Sequence, residues 1–275
     1  MDPDREERLV RVAAARVLLE GNLTLPEGAR GIVLFAHGSG SSRFSPRNCY
    51  VAQQLNREKL ATLLVDLLSP EEEAVDLRTA RLRFNIGLLA ERLVGITDWL
   101  VRQPDTRPLR IGYFGASTGA AAALVAAAER PQIVRAIVSR GGRPDLAGPA
   151  LARVEAPTLL IVGGDDMPVI ELNRAALAQL RCEKRLVIVP GATHLFESPV
   201  RWTRWRGWRA NGLSATSRGR RHPKLNLRSK EVKHHDGQTE QPGIRLRQGT
   251  YPRGQVCIRR EGCVERTSTF RAKGE

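Results

Sequence analysis

Between residues 9 and 190, short β-branched or leucine-rich runs alternate with longer stretches whose apolar positions recur at helical spacing. The short runs predict strands at 10–19, 23–25, 31–36, 61–66, 109–114, 133–139, 157–162 and 185–189. The longer stretches predict helices at 46–58, 78–103, 117–129 and 169–181. From the third strand onward, strand and helix alternate. That order demands right-handed crossovers and a mostly parallel sheet with helices on both faces, an α/β fold. The first two strands, joined by Glu20-Gly21-Asn22, read as an antiparallel hairpin at the sheet edge.

One junction carries chemistry. Arg110-Ile-Gly-Tyr-Phe-Gly-Ala-Ser-Thr-Gly, followed by an alanine-rich run, reads as a buried strand passing through a tight Gly-x-Ser-x-Gly turn into a helix. Ser117 stands at its apex. Gly115 and Gly119 leave room where the turn presses strand against helix, so the hydroxyl projects free of both. The following helix directs its N–H groups and positive dipole end at the site, which favours a developing oxyanion.

In open α/β sheets, reactive groups collect beyond the carboxyl ends of the strands. Four segments fall there: His37-Gly38-Ser39-Gly40-Ser41-Ser42, Ser117, Gly163-Gly164-Asp165-Asp166, and Pro190-Gly191-Ala192-Thr193-His194. A serine hydroxyl needs a base within hydrogen-bond reach and a third group to hold that base in the right tautomer. His194 and Asp166 fill these roles. The chain order Ser, Asp, His is that of α/β-hydrolases. Two N–H donors are needed for the oxyanion, and the reading assigns them to Thr118, directly after the nucleophile, and Ser39, in the loop after the third strand. Other polar residues on this edge read more plainly. His37 braces its loop by hydrogen bonding. Asp66 and Asp145 cap helices or turns, and Glu71-Glu72-Glu73 is a solvated helix start. Arg140-Gly141-Gly142-Arg143 reads either as a holder of an anionic acid moiety or as an exposed loop.

Charge divides the chain. Residues 1–199 hold 25 Lys and Arg against 23 Asp and Glu, whereas residues 200–275 hold 19 against 6, so +13 of the net charge of +15 belongs to the tail. A basic isoelectric point therefore does not make the whole protein a nucleic-acid binder. Cys49, Cys182, Cys257 and Cys263 lack Cys-x-x-Cys or histidine spacing and read as reduced thiols, with no metal site. A charged start, Met-Asp-Pro-Asp-Arg-Glu-Glu-Arg, with no later apolar stretch long enough to span a bilayer, points to a cytoplasmic protein with no membrane partner.

With these residues in place, residues 9–199 resemble the dienelactone hydrolase family of α/β-hydrolases, in the bacterial branch also found fused to phosphoribosyltransferases. The resemblance rests on Leu-Phe-Ala-His-Gly-Ser-Gly-Ser-Ser-Arg at 34–43, Ser-Pro-Arg-Asn at 45–48, Ala-Thr-Leu-Leu-Val-Asp-Leu-Leu at 61–68 and the turn at 115–119. Leu-Leu-Ile-Val-Gly-Gly-Asp-Asp at 159–166 and Val-Pro-Gly-Ala-Thr-His-Leu-Phe at 189–196 complete it. It implies a compact sheet without a large lid, and hydrolysis of a small-molecule ester or lactone without a cofactor. Dienelactone hydrolases proper carry cysteine where this chain has Ser117. The family spacing Gly-Gly-x-Asp-x-x-Val selects Asp166 over the adjacent Asp165 as triad acid.

After Pro199 the pattern is lost. Family members carry an amphipathic helix here; this chain has Arg-Trp-Thr-Arg-Trp-Arg-Gly-Trp-Arg and then a long Arg-, Gly- and Ser-rich stretch without an apolar stripe. Residues 1–199 are thus expected to form the hydrolase domain, its final helix missing, and residues 200–275 a basic, poorly ordered tail. Three origins for the tail stay open: a translated wrong reading frame, a nucleic-acid-binding tail with Trp202, Trp205 and Trp208 stacking on bases, or an unusual closing helix followed by disorder. Without a supporting helix behind His194, the domain is expected to be less stable than its relatives and impaired in activity.

Overall fold

The computed structural model describes residues 5–196. Strands β1 (Arg5–Ala14), β2 (Val17–Pro26), β3 (Gly31–Ala36), β4 (Ala61–Val65), β5 (Arg110–Ala116), β6 (Val134–Arg140), β7 (Thr158–Gly163) and β8 (Lys184–Val189) form one sheet in the order β1-β2-β4-β3-β5-β6-β7-β8. β1 and β2 pair antiparallel, as do β2 and β4; every other neighbouring pair is parallel. Helices α1 (Pro46–Arg57), α2 (Pro70–Thr79), α3 (Ile86–Leu100), α4 (Thr118–Glu129) and α5 (Met167–Gln179) complete it. This is the α/β-hydrolase arrangement.

Alternation along the central strands sorts side chains onto two faces. From β3, Ile32, Leu34 and Ala36 join a large core with Leu89, Leu93, Ile96 and Leu100 of α3 and the buried alanines of α4. The opposite residues, Val33 and Phe35, pack with Phe114 and with Val51 and Ala52 of α1. The first face carries most of the buried apolar surface. Its alanine-rich α4 has almost no side-chain bulk, which lets the helix lie close to the sheet beneath the turn that precedes it.

Two boundaries differ from the sequence reading. The hairpin exists, but its turn is Ala15-Arg16, where both residues adopt positive φ (44° and 67°). Glu20-Gly21-Asn22 lies instead within β2. A side chain at Gly21 would approach Leu63 Cδ1 to 2.9 Å and Leu64 O to 3.1 Å, so this glycine serves close strand packing. The single helix expected at 78–103 is interrupted. α2 ends at Ala80 in the left-handed region, a short 3₁₀ turn follows at Leu82–Phe84, and α3 begins after Asn85, whose side chain accepts from Leu88 N. Asp76 forces the break: its carboxylate accepts the backbone N–H groups of Leu82 and Arg83 and pairs with the Arg83 guanidinium. The solvated acidic start at 71–73 is found, closed by a reciprocal Ser69–Glu72 capping box.

Candidate active site

β5 is a central strand, buried from Ile111 to Ala116, and it leads straight into α4. Between them Ser117 holds φ 48° and ψ −122°. A serine in this region is strained, at a cost of about 1–3 kcal/mol, and persists only where its surroundings fix it. They do so on both sides. A Cβ at Gly119 would collide with the backbone oxygens of Ala36 and His37, and one at Gly115 with the backbone of Ala120. Ser117 O accepts from Ala120 N at 3.1 Å and from Arg143 N at 3.0 Å. The hydroxyl makes no hydrogen bond among the described residues.

The loop after β3 lies flush against this turn. A Cβ at Gly38 would come within 2.9 Å of Ser117 Cβ, and Ser39 N donates to Thr118 Oγ1 at 3.2 Å. The two residues read as oxyanion donors are therefore joined to each other. His37 Nε2 accepts from Leu67 N at 3.1 Å while Nδ1 lies 3.0 Å from Gly38 O. Accepting at one nitrogen and donating at the other, the ring bridges two loops and is no proton carrier for Ser117.

β7 and β8 supply the other members. Asp166 sits at the start of α5, and its Oδ2 lies 2.7 Å from His194 Nδ1. Asp165 is exposed; its N–H donates to Ala192 O at 3.0 Å, so it pins the histidine loop through its backbone. Phe196, with φ 53°, folds back onto Ile161 and Ala192. The loop after β6 borders both parts of the site. Arg143 N reaches Ser117, and a Cβ at Gly141 would lie 2.9 Å from His194 O. No hydrogen bond joins Ser117 to His194 among the described residues. Such contacts are often long in a hydrolase without substrate and tighten when it binds.

The remaining polar candidates are structural. Asp66 accepts from Arg43 N and pairs with the Arg43 guanidinium, which also reaches Glu20; it ties strand ends together instead of capping a helix. Asp145 pairs with Arg143. Arg140 is neither an exposed loop residue nor open to a ligand: it is buried at the end of β6 beside the Phe114 ring, its Nη2 donating to Asn48 Oδ1 at 3.0 Å. Burial, with the nearby Arg47 charge, lowers its pKa to about 10. The sequence reading did not foresee this Arg140–Asn48 link, although Asn48 lies in one of its matched segments.

A cleft of about 100 Å³ opens beside the His37–Ser41 loop, lined by Leu67, Leu68, Leu77 and Leu89 as apolar wall and by Ser39 and Thr118. α2 and the 3₁₀ turn form its outer side. Among the described residues no three of His, Cys, Asp and Glu gather as metal ligands would. No helix there is long and apolar enough to cross a membrane. Cys49 and Cys182 are free thiols; Cys257, Cys263, Trp202, Trp205, Trp208 and the whole tail lie outside the described residues.

The dienelactone hydrolase family model matches residues 21–206. The chain belongs to the dienelactone hydrolase family. A solved dienelactone hydrolase from Anabaena variabilis is 64% identical, superposes with a TM-score of 0.72, and is matched over 74% of this chain and 94% of its own. A Mycobacterium tuberculosis protein provisionally named a phosphoribosyl transferase is 59% identical over 198 residues, 72% of this chain but 44% of that protein. The chain thus spans less than half the length of this curated relative, in keeping with the fused branch. Carboxyl esterase 2 of the fungus Tuber melanosporum, 13% identical with a TM-score of 0.58 over 73% of this chain and 84% of its own, shares the fold.

Proposed function

We propose that this chain hydrolyses small carboxylic esters or lactones through an acyl-enzyme on Ser117. The observation that carries the proposal is the strained backbone of Ser117 at the sheet's catalytic edge. Packing alone gives no reason to hold a serine at φ 48°, while a nucleophile that must stand clear of strand and helix requires it. Membership of the dienelactone hydrolase family and the 64% identity to the Anabaena enzyme support the reaction class.

In this reading Ser117 Oγ attacks the carbonyl carbon as its proton passes to His194 Nε2. Asp166, already 2.7 Å from Nδ1, holds the imidazole in the tautomer that leaves Nε2 free and steadies the cation that forms. The carbonyl electron pair moves onto oxygen, facing the N–H groups at the start of α4, where no intrahelical acceptor exists. The tetrahedral adduct collapses, the alkoxide leaves with the proton from His194, and water repeats the sequence on the acyl-enzyme. Ser39 and Thr118 are the proposed oxyanion residues.

The test is labelling by a fluorophosphonate probe together with turnover of short p-nitrophenyl esters. Ser117→Ala is expected to abolish labelling and to lower kcat by about 10⁴-fold or more. Asp166→Asn should fall by a comparable factor and Asp165→Asn by less than threefold. Undiminished turnover in Ser117→Ala would refute the proposal.

A further inference from the structure

We propose that the cleft beside the His37–Ser41 loop is the acyl subsite, and that it takes short, uncharged acyl groups and refuses those that end in a carboxylate. This deepens the serine-hydrolase reading above and rests on it.

Position assigns the cleft to the acyl half of an ester. Gly38, which lies against Ser117 Cβ, and Thr118, the next residue in the chain, both line it, so the cleft adjoins the proposed nucleophile. Its other walls come from the segments after β3 and β4, from α2, from the 3₁₀ turn and from α3. Among the described residues, none that lines it comes from the loops after β6, β7 or β8. In the strand order β4-β3-β5-β6-β7-β8, the cleft and His194 thus lie to opposite sides of Ser117. The leaving oxygen must collect its proton from His194, so the alcohol half faces β8 and the acyl half faces the cleft.

Size and lining set what fits. Leu67 and Leu89 are buried while Leu77 is 72% exposed, so the leucines run from the interior out to the mouth. Such walls raise kcat/KM by about fourfold for each methylene that they take fully from water. At about 100 Å³ the cleft is well below the ~300–1,000 Å³ of pockets that enclose a drug-sized ligand, so the gain ends after a few carbons. Charge then selects among short chains. Among the described residues, the carboxylates of Asp66, Glu73 and Asp76 line the cleft against one guanidinium, that of Arg83. Asp66 pairs with Arg43, and Arg83 gives its Nε to the Asp76 carboxylate and its Nη2 to Asp76 O. Glu73, exposed in the first turn of α2, makes no ion pair among the described residues. A substrate carboxylate would leave water among leucines, beside a like charge and with no cation of its own.

The full chain is assayed on p-nitrophenyl acetate, butyrate and octanoate, and on p-nitrophenyl valerate against the p-nitrophenyl half-ester of glutaric acid, with background hydrolysis subtracted. In the parent, kcat/KM is expected to rise from acetate to butyrate and to fall by about tenfold or more at octanoate. Leu89→Ala deepens the cleft and should raise the octanoate-to-butyrate ratio about tenfold. Leu77→Ala should lower the butyrate-to-acetate ratio about threefold, and at this exposed position it decides the matter if Leu89→Ala does not fold. The parent should favour valerate over the half-ester by about tenfold, and Glu73→Gln should narrow that preference about threefold. A chain-length profile that neither leucine variant moves would overturn the subsite. So would a Leu89→Ala variant that shifts selectivity among the acetates of ethanol, butanol and octanol instead, because the cleft would then hold the leaving group. Preference for the half-ester would overturn the charge selection, with Arg83 taking up the carboxylate in spite of Asp76, and so would an unmoved preference in Glu73→Gln. Ser117→Ala separates the two levels. If it is inactive while the ratios stay fixed in the cleft variants, only the subsite falls; if it keeps parental turnover, the nucleophile reading falls and takes the subsite with it.

Discussion

The two halves of the candidate site are built by opposite means. Ser117 sits where a fully buried central strand meets a buried alanine-rich helix, and the glycines on either side leave backbone touching backbone. His194 sits in a loop behind β8, which among the described residues is an edge strand paired only with β7, and the apolar cluster under that loop includes Ile161, Ala192 and Phe196. Thr193 and Leu195 on either side of it are exposed. Among the described residues, Ser117, the proposed nucleophile, is thus held by steric exclusion, and His194, the proposed base, by a few hydrogen bonds and one aromatic ring. Local opening follows buried contact, so the histidine loop is the part of the site that opens first.

The sharpest way to break the contrast is at the stiff half. Gly119→Ala places a methyl against two backbone carbonyls that cannot turn aside. It is expected to cost about 3 kcal/mol or more in urea unfolding and to leave no measurable turnover. At the soft half, Phe196→Ala removes the ring that anchors the loop. Global stability should fall by less, about 2–3 kcal/mol, while kcat falls ten- to hundredfold because a base displaced by about 1 Å no longer reaches the hydroxyl. Fluorophosphonate labelling slowed far more than the melting point is lowered would show this split; parallel losses would show that the two halves open together.

Strain gives a test of opposite sign. Ser117→Gly relieves a backbone that glycine accepts freely, so this inactive variant should be more stable than the parent by about 1–2 kcal/mol in the same urea titration. A destabilised glycine variant would mean the turn is not strained.

The smallest effect concerns the cleft wall, which belongs to neither half. Burial of Asp76 opposes its charge, but hydrogen bonds from the Arg83 backbone, the Arg83 guanidinium and Leu82 N prevail and hold its carboxyl below the usual value. A carboxyl with a lowered folded pKa stabilises the fold above its unfolded value of about 3.9, and that contribution disappears as pH falls through the acid range. Asp76→Asn should therefore melt lower than the parent at pH 7, and the gap should close on acidification toward pH 3. A gap independent of pH would assign the loss to packing alone.

The legibility of this molecule follows the same division. The strand–turn–helix around Ser117 is readable because its signals are local: an apolar strand, two glycines at fixed offsets and a helix-forming run. The eight strands, their mostly parallel pairing and the antiparallel hairpin at the sheet edge were readable too, as alternation of strand and helix leaves few topologies, but the order in which the strands lie was not. Where the reading failed, a distant partner had overruled a local preference. Glu20-Gly21-Asn22 has the composition of a turn, yet Leu63 on β4 needs the space above Gly21, so the chain turns earlier at Ala15-Arg16. The break after α2 carries no proline or glycine; Asp76 makes it by taking up the backbone of Leu82 and Arg83, and Asn85 was the one local sign of a new helix start.

By itself, the sequence determined the fold class, the family and the strand ends at which a serine, a carboxylate and an imidazole would stand, because these depend on hydrophobic period and on short motifs in fixed order. Tertiary structure alone decided which polar atoms meet. It joined the Ser39 amide to the Thr118 hydroxyl across 79 positions of chain, buried Arg140 against Asn48, and gave both nitrogens of His37 to backbone partners. Hydrogen bonds are settled within a few tenths of an ångström, and only the packed sheet brings these loops to that distance.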